Sequence, residues 1–395
     1  MKNIILYLRI SPIRVKLAVG FMVVMLFFAV AGRFLANDVP IYVTHHKWTG
    51  FPVLEKSSYL SFKQDYANPK VQFQIKTPIP YAATSIDYTN GLVGPFNWKY
   101  GNRHLLGTDS YNRDVMAGLI YGSRVALLVG ILSNLIALLI GIFLGSLSGY
   151  FGNNGVLIGR NYLLSFIFLE IILLYLILSN SFIEFYIPSF GFRMAIFLVF
   201  TYLLAYKLFR QRGKLVRVPI DIIITKLLEV FHSIPGLMLL LGISVVVGTM
   251  SLLKLTFLVA LLRWPAITRL VRAEVMKIKQ NSFIETAKSL GIGDFRVIYR
   301  HILPNIFNQL MVAFAFGVAS SILMEAALSF LGLGLPPDQI TWGLLLSQAR
   351  TNPAAWWLAL FPGLMISLII LSCYVIGNYL WGSSSTKLKT GESII

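Results

Sequence analysis

Apolar runs of about twenty residues, each long enough to cross roughly 30 Å of hydrocarbon, recur along the sequence and confine it to few folds. The first extends from about Val15 to Ala36 and follows a short segment holding Lys2, Arg9 and Arg14. Further runs are predicted at about Val125–Ser148, Tyr162–Phe182 and Phe192–Phe209. Four more cover Glu229 to Val247, Leu252–Thr268, the stretch after Asn305 to Leu331, and Ala359–Trp381. Within lipid, backbone amides find no water, so a spanning segment must pair them internally, as a helix does. The expected fold is an all-α integral membrane protein with about eight transmembrane helices.

Composition agrees: 56% of residues are hydrophobic, only 13% are charged, and mean hydropathy is +0.73. The formal charge of +18 does not point to nucleic acid, because Lys and Arg gather at the ends of apolar runs. The positive-inside rule explains that placement and sets the N-terminus inside. A cleaved signal peptide is the rival reading of the first run, since Ala29-Val30-Ala31 imitates a cleavage site; the apolar run continues past it. The single Cys373 leaves no intramolecular disulfide and no thiolate metal cluster. His45-His46 has no further ligands at useful spacing, so no metal site is expected, and no cofactor.

The organisation follows from these runs. Residues 1–36 form the cytoplasmic N-terminus and first span. Residues 37–106, with prolines at 40, 52, 69, 78, 80 and 95 and a strand-like Val71-Gln72-Phe73-Gln74-Ile75, form a small extracytoplasmic insert. Residues 107–152 hold the second span, on which Gly141, Gly145 and Gly149 lie four apart and make a flat ridge for a packing helix. Residues 153–217 add a pair of spans and a basic loop with Arg210, Arg212, Lys214 and Arg217; Glu170 lies within the first of the pair. Residues 218–382 complete the bundle and residues 383–395 are a cytoplasmic tail. Pro235 is placed in the first turn of its span, and Trp264-Pro265 near an inner membrane interface with a proline kink.

Residues 274–305 are a polar, basic island between apolar runs. Ser282 and Glu285 have capping-box spacing, so a short helix is expected to start there. Phe283, Ile284, Ala287 and Leu290 form one apolar stripe, and Gly291 supplies a left-handed stop. Asp294 then caps a second helix that Pro304 ends. From spacing alone, a solvated loop helix resting on its own chain fits better than a docking element.

Glu285-Thr286-Ala287, Gly291 and Ile302-Leu303-Pro304 resemble the EAA loop of ABC-importer permeases. His104-Leu105-Leu106-Gly107-Thr108-Asp109, Asn112-Arg113-Asp114 and Tyr121-Gly122-Ser123-Arg124 are similar to the HPLGTD, GRD and YG.R pattern of the dipeptide, oligopeptide and nickel branch, with Leu105 for Pro and Asn112 for Gly. Glu325-Ala326-Ala327-Leu328-Ser329-Phe330-Leu331-Gly332-Leu333-Gly334 resembles the signature of the peptide-type members, and the insert after the first span resembles the microcin C and oligopeptide subgroup.

The resemblance implies a six-helix type I importer core, here with two inserted spans, acting as a permease in the bacterial inner membrane. It implies that Phe283, Ile284, Glu285, Ala287, Leu290, Gly291, Leu303 and Pro304 couple to ATP-binding cassette ATPase subunits. It also implies a homologous second permease subunit and an extracytoplasmic solute-binding protein as partners, with membrane lipid around them. Small residues and one acid place Ser321, Glu325 and Ser329 on the translocation path or its gate; read without the family, Glu325 equally well pairs with a donor inside the bundle. The chain has no Gly-x-x-x-x-Gly-Lys-[Ser/Thr] loop and no hydrolase motif, so no catalytic residue is assigned and ATP hydrolysis is expected on a partner. A secondary transporter or a membrane scaffold is the alternative. Substrate identity is not written in these residues.

Overall fold

The computed structural model describes residues 12–45, 48–51, 53, 71–89, 91–96, 104–154, 156–159 and 215–390. The expected inserted pair of spans, with Glu170, Arg210, Arg212 and Lys214, lies outside them, as do Lys2, Arg9 and His46. The elements are α1 (Ile13–Leu35), β1 (Tyr42–His45), β2 (Trp48–Gly50), β3 (Val71–Ile75), α2 (Val115–Phe151), β4 (Val156–Gly159) and β5 (Leu215–Val218). They continue with α3 (Ile220–Ser233), α4 (Gly236–Val247), α5 (Leu252–Lys279), α6 (Ser282–Ser289), α7 (Asp294–Val297), α8 (Leu303–Phe330), α9 (Trp342–Thr351) and α10 (Trp357–Thr390). Among the described residues four helical segments are long and apolar enough to cross a membrane: α1, α2, Asp294–Phe330 and the first part of α10. The pair α3 and α4 makes a fifth if counted as one span. Helix α5 has the length as well, but Lys254, Arg263 and Arg269 interrupt its apolar stretch.

The chain forms two compact units, one of residues 1–145 with 231–395, the other of residues 146–230. In the first, Met25 of α1, Val115, Leu119 and Leu127 of α2, and Ile322 and Ala326 of α8 share a core with Trp342 and Leu345 of α9 and Leu358 and Ile369 of α10. Leu240 of α4 and Leu255, Leu258 and Val259 of α5 join Val129 and Leu328 in a second cluster. The glycine ridge is used at Gly141 and Gly145: a Cβ at Gly141 would lie 2.5 Å from Ile267, and one at Gly145 2.7 Å from the Thr268 carbonyl. The backbones of α2 and α5 therefore approach to a distance that no larger residue permits.

Several boundaries differ from the sequence expectation, each for a physical reason. Helix α2 starts about ten residues before its apolar run because Asp114 caps it, accepting from the Ala117 amide at 2.7 Å. Pro235 stands at the N-cap of α4 instead of inside the first turn. The chain breaks between Ser233 and Gly236, and the twelve residues of α4 reach only about 18 Å. Trp264 is buried against Phe231, ring centroids 5.1 Å apart and edge to face. Pro265 lies within α5 without ending it. Trp342–Thr351 form α9, a helix the sequence does not announce: the Thr341 hydroxyl accepts from the Leu344 amide, and the Trp342 indole donates to the Leu119 carbonyl at 3.0 Å. Helix α10 continues to Thr390, through the expected tail, since no Pro follows Trp381 to stop it.

In the 37–106 segment β1 pairs antiparallel with β2 and with β3, giving the order β2-β1-β3 with a register shift at Thr44 and His45. The Ile79 amide donates to the Leu35 carbonyl and the Asn37 amide to the Ile79 carbonyl, tying this sheet's exit to the end of α1. In the second unit β4 and β5 pair antiparallel, Leu157 opposite Arg217.

Motif residues before α2 form a buried polar clasp. His104, 1% exposed, places Nδ1 2.9 Å from Asp114 and Nε2 3.1 Å from Asp87. Two carboxylates on opposite ring nitrogens call for an imidazolium that donates to both. Burial works against the charged ring, but the hydrogen bonds and charges of Asp114 and Asp87 outweigh it and raise the pKa above the ordinary value. Beside it Arg113 bonds Asp109 through Nε at 2.8 Å and reaches the Pro337 carbonyl, while Gln348 accepts from the Ser110 amide at 2.9 Å. Asn112 takes φ +59°, the left-handed conformation for which the family pattern has Gly; Asn is among the residues that tolerate it.

Two outcomes test this architecture. Because its folded pKa is raised, the His104 contribution is complete below the ordinary imidazole value of about 6.5 and fades as pH rises through the raised one. The thermal unfolding gap between wild type and His104→Gln, about 1.5–3 kcal/mol for hydrogen bonds to charged groups, is expected to be widest in acid and to shrink towards alkaline pH; a pH-independent gap contradicts the imidazolium clasp. Cysteines at Leu157 and Arg217 face each other across the β4–β5 ribbon and are expected to cross-link on mild oxidation, whereas cysteines at 157 and 215, two residues out of register, are not.

Candidate functional site: the coupling segment and the polar face of α8

The polar island folds into α6, α7 and the start of α8. Helix α6 begins after Asn281, which holds φ −77° and ψ 141° and makes no side-chain cap bond. Ser282 is thus the first helical residue, and the expected capping box with Glu285 is not formed. Instead the Thr286 hydroxyl donates to the Ser282 carbonyl and the Ser289 hydroxyl to the Glu285 carbonyl, both at 3.0 Å. The far end is closed as expected. Gly291 has φ +76°, its amide donates to the Lys288 carbonyl at 2.9 Å, and the Ile292 amide reaches back to Ala287 at 3.2 Å. That pair of bonds is a Schellman motif, in which glycine supplies the left-handed residue without a Cβ penalty.

The second helix is not ended by Pro304. Gly293 caps α7, Asp294 lies in its first turn, and the chain passes through a π-helical turn, Ile298–Ile302, straight into α8. Pro304 has no amide to offer the carbonyl one turn back and its ring crowds that carbonyl, so the hydrogen-bond ladder shifts by one residue instead of stopping. Asn305 Nδ2 donates to the His301 carbonyl at 2.6 Å, satisfying one of the groups left by the shift. Residues 294–330 are therefore one continuous helical rod, set off from α6 by the turn at Gly291.

The apolar stripe divides. Ile284 is fully buried and Ala287 6% exposed, alongside buried Val297, Ile302 and Ile306. Phe283 is 43% exposed and Leu290 76%. Phe295 and Tyr299 are also exposed, and Glu285, Gly291 and Pro304 are open to solvent while Leu303 is half-buried. Of the eight residues the sequence assigns to coupling, Ile284 and Ala287 thus anchor the helix to its own chain and cannot touch a partner. Phe295 and Tyr299 went unassigned; their signal was two large aromatics in a segment that should otherwise be polar.

On α8, Ser321, Glu325 and Ser329 stand at successive turns of one face, all buried within this chain. The Ser329 hydroxyl donates to Glu325 Oε1 at 2.8 Å. Opposite them a Cβ on Gly343 would lie 2.6 Å from the Ser329 side chain, so α9 packs directly on this face. The geometry matches the in-bundle pairing that the sequence left open for Glu325. The clasp residues His104, Asp87 and Gln348 were not picked out as a group, because Asp87 and Gln348 join it only through the fold.

Residues 137–381, more than half of the chain, match the family described as the binding-protein-dependent transport system inner membrane component. The glutathione transport system permease protein GsiD of Pectobacterium atrosepticum is 28% identical over 81% of this chain and 83% of its own length. The dipeptide transport system permease protein DppC of Alkalihalophilus pseudofirmus is 28% identical over 80% of each chain. The di/tripeptide transport system permease protein DppC of Pseudomonas aeruginosa is 29% identical over 77% of this chain and 80% of its own. The chain belongs to this family of multi-pass inner-membrane components, as a permease subunit of the peptide-type ABC importers.

Proposed function

We propose that this permease passes short peptides or peptide-like molecules inward, driven by ATP hydrolysed on separate ATP-binding cassette subunits that grip α6. A second, homologous permease completes the path, and an extracytoplasmic solute-binding protein delivers the cargo to the side carrying the 37–106 segment. The substrate class follows the printed specificities of the relatives, which are glutathione, dipeptides and di/tripeptides. The observation that carries the coupling role is the two-faced α6: Ile284 and Ala287 fix it to the bundle while Phe283 and Leu290 remain exposed on the same short helix. A helix held rigidly on one side and bare on the other transmits displacement; burying Leu290 in a partner groove would contribute about 1.5–3 kcal/mol. Glu325 and Ser329 serve the gate from behind, as the buried support on which α9 rests, with Ser321 one turn away. Movement requires that the ATPase bind one conformation of the pair better than the other.

Leu290→Asp is expected to leave insertion intact and to lower co-purification of the ATPase subunits at least tenfold, with ATP-driven peptide uptake lost in parallel. Gly291→Pro, which removes the left-handed stop at a strain of about 1–3 kcal/mol, and Glu285→Lys are expected to act in the same direction. Full uptake by all three variants contradicts the proposal, as does uptake that persists without any ATPase subunit.

A further inference from the structure

A groove between α1 and α2 belongs neither to the coupling segment nor to the clasp. Leu26 and Val30 on one side and Leu128 and Ile131 on the other wall a volume of about 640 Å³. One end is different in kind: Arg33, Arg124 and Tyr121 line it. The Tyr121 hydroxyl is already engaged, donating to the Ala36 carbonyl at 3.0 Å. The two guanidinium groups are exposed and, among the described residues, have neither a hydrogen bond nor an ion pair. Asp38, the acid whose charge bears on the same hydroxyl, accepts from Ser85 at 2.8 Å; one carboxylate against the two guanidinium groups leaves the end of the groove net positive.

Depth gives this end its meaning. Arg33 is two residues from the end of α1, and Arg124 immediately precedes the apolar run of α2. With the N-terminus inside, both stand where the outer leaflet's headgroups meet its acyl chains. An unpaired guanidinium at the edge of hydrocarbon is costly unless an anion or water meets it, and the planar donor fork of arginine suits a phosphate. We propose that the groove binds an anionic phospholipid of the outer leaflet, one acyl chain along the walls and the phosphate between Arg33 and Arg124. A zwitterionic lipid would bring an ammonium group into the same positive end. A helix of the second permease would need a carboxylate at this depth and would exclude the lipid.

The test uses the assembled importer, purified in mild detergent and reconstituted in nanodiscs of equal phosphatidylglycerol and phosphatidylcholine. Phosphatidylglycerol with a photoactivatable acyl chain is expected to label the wild-type permease at residues 26–33 and 121–132 several-fold above other lipid-facing helices. Native mass spectrometry is expected to show retained phosphatidylglycerol, falling about fivefold for each arginine in Arg33→Gln and Arg124→Gln, the effect of one basic side chain at an anionic lipid surface. Arg33→Lys with Arg124→Lys keeps the charge and should keep most of the preference. Uniform labelling of the wild type overturns the site whether or not the variants fold. So does unchanged lipid retention in the glutamine variants, and so does a groove that labels only after the two permeases separate, which would make it their interface.

Discussion

A backbone amide in hydrocarbon must find its partner within the chain, and among the described residues this requirement is met by long unbroken helices in α1, α2, residues 294–330 and α10. Stiffness is what a transporter needs if work done in water on one side is to be felt in the middle of the bilayer. Residues 294–330 show how far the requirement is met: α7, the π turn and α8 run on without an interruption, and Asn305 supplies a bond where the ladder slips. The same rod carries Glu325 and Ser329, and α6 precedes it across the turn at Gly291.

The C-terminal end of that helix is equally well held. Trp342 on α9 bonds the Leu119 carbonyl of α2, Gly343 lies against Ser329 of α8, and Arg113 at the start of α2 reaches the Pro337 carbonyl just before α9. Motifs that look separate in the sequence, the HLLGTD and NRD stretch and the EAALSFLGLG stretch, therefore secure two helix ends to one another. Their polar atoms are nearly all committed to this, which explains why Glu325 and its neighbours are sealed inside the chain and not lining open space.

Much of this was legible in advance, because membrane helices announce themselves by length and hydropathy, and Gly291, Asp114 and the Gly141–Gly145 ridge carry their physics locally. What was missed depended on neighbours. Ser282 has the right spacing for a cap, yet Asn281 already occupies the cap backbone geometry. Pro304 should stop a helix, but a one-residue slip of the ladder accommodates it. The stripe on α6 is one face by spacing, and only packing separates buried Ile284 from exposed Leu290. Nothing near Trp264 in the sequence points to Phe231, thirty-odd residues earlier, on which its ring packs. The β4–β5 ribbon gave only two short β-branched runs, too far apart to suggest that they pair.

The central claim is that α6 has one face for its own chain and another for a nucleotide-hydrolysing partner. Site-directed cross-linking in the assembled importer measures this most directly, with single cysteines at Leu290, Phe283 and Ile284. Cross-links from positions 290 and 283 to the ATPase, altered by ATP, and none from position 284, are the predicted result. A cysteine at 290 that stays fully open to a water-soluble thiol reagent in the complete assembly would contradict the account.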